Sequence, residues 1–139
     1  MYKCRAIDCK FCLLQFIVEN PLNSWLFLFP SIASALALTG AQRVVVHMGD
    51  FGGDSDKPLE LWGTAPWLPQ LQSIGEARRA YMKEHDLRPA KKVKLTEKKG
   101  RWVCGNENTE ASQLYTVTFV RVVAELHRRY LVHIGVPQV

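Results

Sequence analysis

Apolar and polar positions are unevenly distributed along this chain. From Asn20 to Gln42 there are 23 residues without one charge, including the run WLFLFPSIASALALTG. As a helix rising about 1.5 Å per residue, this stretch is roughly 34 Å long, enough to cross a hydrocarbon core of about 30 Å with some tilt. The pattern therefore predicts a single transmembrane helix over 20–42, with Trp25 near one interface and Arg43 marking the other. Ser31, Ala33, Ser34, Ala35, Ala37 and Gly40 are small, and small residues let another helix approach closely in lipid, with Ser31, Ala35 and Gly40 as the docking positions. Pro30 removes the amide that would bond Leu26, so the span either kinks there or starts close to it. A buried helix and a cleaved signal peptide, the latter with Ala35 and Ala37 as an A-x-A site, are the other two readings of the run.

The flanking segments are read relative to that span. Residues 1–19 form a cysteine-containing extension whose apolar run, Phe11 to Val18, is too short to cross a membrane and suits an interfacial helix. Residues 43–72 read as an extended arm: VVVHMGDFGG turns at its glycines, and DSDKPLELWGTAPWLP carries three prolines with Trp62 and Trp67 as partner anchors. A loop packed on its own domain is the alternative for this arm. Over 73–101 a helix, with Ser73 as N-cap and Glu76 three residues on, leads into a basic segment after Pro89. In 102–139, Tyr115, Phe119, Val122, Val123, Leu126 and Tyr130 recur at helical spacing and predict an amphipathic helix, with a strand over 115–123 as the alternative. The expected fold is mainly α: one transmembrane helix, an extended arm and amphipathic helices in an aqueous tail, with no independent globular core.

Composition and charge narrow the function. A chain of 139 residues that is 47% hydrophobic with four tryptophans is neither collagen-like nor disordered, and four cysteines are too few for a disulfide-framed mini-protein. The net charge of +5 is local: residues 76–101 hold ten basic side chains against four acidic ones. Nucleic acid or anionic lipid headgroups would fit that block, but a solvated basic loop describes it better, because aromatic residues are not interleaved with the lysines, and nucleic acid is not the expected partner. Lys3, Arg5 and Lys10 precede the span, whereas only Arg43 and Lys57 closely follow it, which places the N-terminus on the inner side.

Catalytic chemistry is not evident. Cys4, Cys9 and Cys12 give C-x4-C-x2-C, the start of a plant-type iron–sulfur ladder, but Cys104 lies far beyond them across the expected span. His47, His85, His127 and His133 are scattered, and the acidic trio Asp50, Asp54 and Asp56 reads as a solvated turn. Nucleotide, zinc-protease and nucleophile-elbow motifs do not occur. The expectation is a protein that is not an enzyme and takes no cofactor or metal.

Between Trp25 and Gly53 the sequence resembles the MWFE accessory subunit family of mitochondrial NADH:ubiquinone oxidoreductase, respiratory complex I. Trp25, Pro30, Ser31 and Ile32 match its Trp, its Pro five positions on, and the small and aliphatic residues after it. Gly40, His47, Gly52 and Gly53 keep the spacing of its closing motif. Phe27 stands where the family has an acidic residue, 24 residues precede Trp25, and nothing beyond about residue 100 has a counterpart. The resemblance implies a non-catalytic, single-span accessory subunit of a mitochondrial inner-membrane respiratory complex, with core and accessory membrane subunits and lipids as partners. Within that reading, Ser31, Ala35 and Gly40 would dock the helix against a neighbour, and Trp25, Trp62 and Trp67 would be the partner anchors. With the charge bias, the N-terminus would lie in the matrix and the tail in the intermembrane space. A membrane-tethered RNA- or ribosome-associated protein using 76–101 is the alternative.

Overall fold

The computed structural model describes residues 15–87, 96–98, 101–103 and 115–137. Its centre is a three-stranded antiparallel sheet of β1 (Ile17–Pro21), β2 (Gln42–His47) and β3 (Pro58–Gly63), in the order β1-β3-β2. Between β1 and β2 lie a 3-10 turn, Trp25–Leu28, and the helix α1 (Pro30–Leu38); a second 3-10 turn, Met48–Phe51, follows β2. Two 17-residue helices complete the layer, α2 (Leu68–Glu84) and α3 (Val117–His133). A separate short hairpin pairs β4 (Thr96–Lys98) with β5 (Arg101–Val103).

The expected transmembrane helix over 20–42 does not form, and local chemistry explains why. Pro21 closes β1, and Asn23 takes a left-handed backbone with φ 64°, a conformation that asparagine tolerates better than most residues. Ser24 then caps the 3-10 turn by accepting the Leu26 amide at 3.2 Å. Pro30 occupies the first position of α1, where its missing amide costs no helical bond. At the far end the Thr39 hydroxyl donates to the Ala35 carbonyl at 2.9 Å, and Gly40, at φ 67°, turns the chain out of the helix. What remains is nine helical residues, about 13 Å, less than half of a bilayer core. Among the described residues no helix is long and apolar enough to cross a membrane.

The expected extended arm is also replaced by regular structure. Val44, Val45 and Val46 are a β-branched run that pairs with Leu61, Glu60 and Leu59. Because successive strand residues face opposite sides, Val44, Val46, Leu59 and Leu61 all enter one core face and are at most 4% exposed. Gly63 lies so close to Phe16 that any β-carbon would overlap its carbonyl oxygen, which is why this strand ends in glycine.

An independent core exists, contrary to the mainly α expectation. Leu68 and Leu71 of α2 and Phe119 and Leu126 of α3 meet the strand residues there, together with Met48, Phe51, Ala65 and Trp67. Helix α2 begins at Leu68, and Ser73 is interior to it, its hydroxyl donating back to the Pro69 carbonyl at 3.2 Å. Gly75 lets α2 pass close to the second 3-10 turn: a β-carbon there would stand 3.3 Å from the Phe51 ring. The strand alternative over 115–123 gives way to α3, whose cap Thr116 accepts the Phe119 amide and donates to the Phe51 carbonyl. The Phe51 and Phe119 rings meet edge to face at 5.3 Å, a favourable aromatic geometry.

Candidate functional site

Two surfaces stand out, one apolar and one polar. The apolar one is a crest formed by the first 3-10 turn and its junction with α1. Within five consecutive residues the side chains divide: Phe27 is buried, while Trp25, Leu28 and Phe29 remain 81%, 75% and 58% exposed. Trp25, Leu28 and Phe29 together line one shallow depression. Contiguous exposed apolar side chains of this size are the feature that needs explanation on a protein surface, rather than single ones.

The crest is anchored from below by the second face of the sheet. Phe27 packs on Trp62 with ring centroids 6.0 Å apart. Glu60, next to Trp62 on β3, is a buried carboxylate with three donors around it: Arg43 Nε at 2.8 Å, Trp62 Nε1 at 2.8 Å and the Asn23 amide at 3.3 Å. Burial pushes the Glu60 carboxyl up, but the hydrogen bonds from Arg43, Trp62 and the Asn23 amide outweigh it and hold the group below the usual glutamate range. The Asn23 contact ties the start of the crest to the sheet. The same carboxylate engages Arg43, the basic residue that borders the charge-free segment.

The polar surface lies at the other edge, between β2, the second 3-10 turn and α2. Asp50 is buried, and Arg79 forms a fork on it with Nε–Oδ1 at 2.8 Å and Nη2–Oδ2 at 2.9 Å. Arg78 donates to the Asp50 carbonyl at 2.7 Å. Asp56 stands 3.8 Å from Arg79 and 3.0 Å from His47 Nδ1. A small depression beside them is lined by His47, Gln72, Glu76 and Arg79. Gln72 covers the β2 edge by accepting the Val45 amide at 3.0 Å. The charges in this cluster satisfy one another, so it fastens α2 to β2; among the described residues no group of three His, Cys, Asp or Glu is arranged to hold a metal. Asp54, the third member of the acidic trio, is exposed and apart.

The residues singled out in the sequence divide accordingly. Trp25 is presented at the surface, Trp62 is an internal anchor, and Trp67 is 5% exposed within the core, where it meets the His127 ring edge-on at 6.2 Å. Ser31 and Ala35 are exposed one turn apart on α1, whereas Gly40 serves to end that helix. Of the basic block, Arg78 and Arg79 are committed to Asp50, and His85 stacks on Tyr81 at 4.0 Å. His133 closes α3. Residues 88–95, 99 and 100 of that block lie outside the described residues, as do Cys4, Cys9, Cys12 and Cys104. The sequence reading missed the Glu60 hub and the Asp50–Arg79–Asp56–His47 chain. Alternation of Leu59 and Leu61 with Glu60 and Trp62 was the available signal for the first; the second joins residues 29 positions apart and leaves no local mark.

No family model, no curated protein and no solved structure matches this chain.

Proposed function

We propose that this protein is a non-catalytic docking module, an accessory subunit that attaches to a larger assembly through the Trp25–Phe29 crest. The observation that carries the reading is the exposure of Trp25, Leu28 and Phe29 side by side within a charge-free segment. Large aromatic and aliphatic side chains that cluster and await desolvation are the usual energetic centre of a binding surface. The support beneath them matters equally. Phe27 on Trp62 and Asn23 on Glu60 hold the turn in one conformation before binding, which lowers the ordering cost that docking must overcome. Ser31 and Ala35 extend the same segment with small side chains against which a neighbour can lie close.

The single-span form of the subunit is set aside with the transmembrane helix. The resemblance over Trp25–Gly53 directs the search for the assembly to the inner-membrane respiratory complexes. The test is native electrophoresis of the tagged full chain from its own cells, beside the variant Trp25→Ser/Leu28→Ser/Phe29→Ser. The wild type should migrate within an assembly far larger than its own 15.8 kDa, and the variant should leave it while keeping a wild-type circular dichroism spectrum. A wild-type chain that runs free, or a variant that stays bound, would end this reading.

A further inference from the structure

Helix α3 carries a second apolar stripe that its own core does not use. Phe119, Val122, Leu126 and Tyr130 pack inward. Along another side, Val117, Val120, Ala124, His127, Leu131 and Ile134 follow one another at alternating steps of three and four residues. Val117 and Val120 are 67% and 53% exposed, Ala124 and His127 are exposed with them, and Leu131 and Ile134 are half-buried. A mean spacing of about 3.5 residues is the seam by which one helix packs along another. We propose that this side of α3 is a second docking surface, and that its occupant is an amphipathic helix of another protein, apolar along its own seam and acidic along its flank.

The charges beside the seam select that occupant. Arg121 follows Val120 and Arg128 follows His127, so both heptads carry arginine at the same flanking position, the place whose charge sets partner choice when helices pair. Arg121 has no ion pair among the described residues, and Arg128 and Arg129 share one carboxylate, Glu125, at 2.8 and 2.7 Å. Three cations against one anion leave this flank positive. The other flank is Val123 and Tyr130, which pack on the protein's own core, so only the arginine side is open to a partner's charges.

A second copy of this chain does not fit. Antiparallel pairing of two α3 helices would set their arginine flanks against each other, where like charges repel. Parallel pairing would direct the arginines of one copy at Val123 and Tyr130 of the other, which that copy's core already covers. An acidic flank on a different helix meets neither obstacle. Ala124, small and near the middle of the seam, lets that helix approach closely. His127, whose ring meets Trp67 edge-on, is the polar seam residue that fixes the register.

The experiment is fluorescence anisotropy of two labelled synthetic peptides, each about three heptads long with an apolar seam, one carrying glutamate on both flanks and the other lysine. Titrated with the purified full chain, the glutamate peptide should bind at least about tenfold more tightly than the lysine peptide. Val117→Ser/Val120→Ser should lose most of the binding, and Arg121→Glu/Arg128→Glu should reverse the preference. These four positions are exposed, so circular dichroism of both variants should match the wild type. The variant Trp25→Ser/Leu28→Ser/Phe29→Ser should bind the glutamate peptide as the wild type does, so that the crest and the seam succeed or fail separately. Failure of both peptides to bind, equal binding of the two, or a preference that survives the charge swap overturns the proposal. Sedimentation velocity of the chain alone supplies the remaining control: a dimer that Val117→Ser/Val120→Ser dissociates would assign the seam to a second copy and overturn it as well.

Discussion

Replacing Glu60 by alanine tests how the crest is held to the sheet. The carboxylate accepts from Arg43, Trp62 and the Asn23 amide, and its side chain is only 7% exposed. A hydrogen bond to a charged group contributes about 1.5–3 kcal/mol and leaving a half-buried donor unpaired costs about 1 kcal/mol more, whereas Arg43, 46% exposed, can turn to water. The expected loss is therefore about 3 kcal/mol, a large share of the roughly 5–15 kcal/mol that a small domain has. Urea denaturation followed by circular dichroism measures it as a lower midpoint at unchanged slope. Glu60→Gln should lose less, because its amide oxygen still accepts from Arg43 and Trp62 and only the bond from the Asn23 amide is lost. A folded Glu60 titrates below its unfolded value, so its stabilisation is full above the ordinary glutamate range and is lost as pH falls through the lowered folded pKa. Wild-type stability should thus drop from neutral pH toward acid with a component that Glu60→Ala lacks. A loss under about 0.5 kcal/mol at neutral pH, typical of a bland surface change, with an unaltered acid profile would refute the hub.

Three further outcomes follow from other contacts. Gly63→Ala places a methyl against the Phe16 carbonyl and should destabilise by about 2 kcal/mol or more in the same urea assay, since backbone cannot yield as a side chain can. Arg79→Ala strips the fork from buried Asp50 and should lose about 2–4 kcal/mol; adding Asp50→Asn should restore part of it, because the cost lies in the unpaired carboxylate. Burial and the hydrogen bond to Glu19 push the Tyr115 hydroxyl up to about 12, so an absorbance titration at alkaline pH should contain a late phenolate step that Tyr115→Phe abolishes.

The sequence showed some of this fold and concealed the rest for identifiable reasons. Period-3.6 spacing of Phe119, Val122, Leu126 and Tyr130 marked α3, because an amphipathic helix carries its burial pattern locally. The charge-free segment misled because hydropathy sums side chains and ignores backbone breaks. Pro21, Asn23, Ser24, Pro30 and Gly40 divide it into a strand end, a 3-10 turn and a nine-residue helix. Strand β3 was masked by flanking prolines, although Leu59 and Leu61 alternate with Glu60 and Trp62 at period two. Trp25 and Trp67 look equivalent in sequence, yet only Trp25 is exposed, since the burial of Trp67 depends on α3 residues such as His127, 60 positions away.

Hydroxyl-radical footprinting of Trp25 in the purified chain and in its native assembly tests the central claim most directly. In the free chain Trp25 should oxidise rapidly, as an indole that is 81% exposed. Within the assembly it should be protected, while Tyr81, exposed on α2, should react as before. Equal oxidation of Trp25 in both states would contradict the account, because the crest would then remain in water where the protein works.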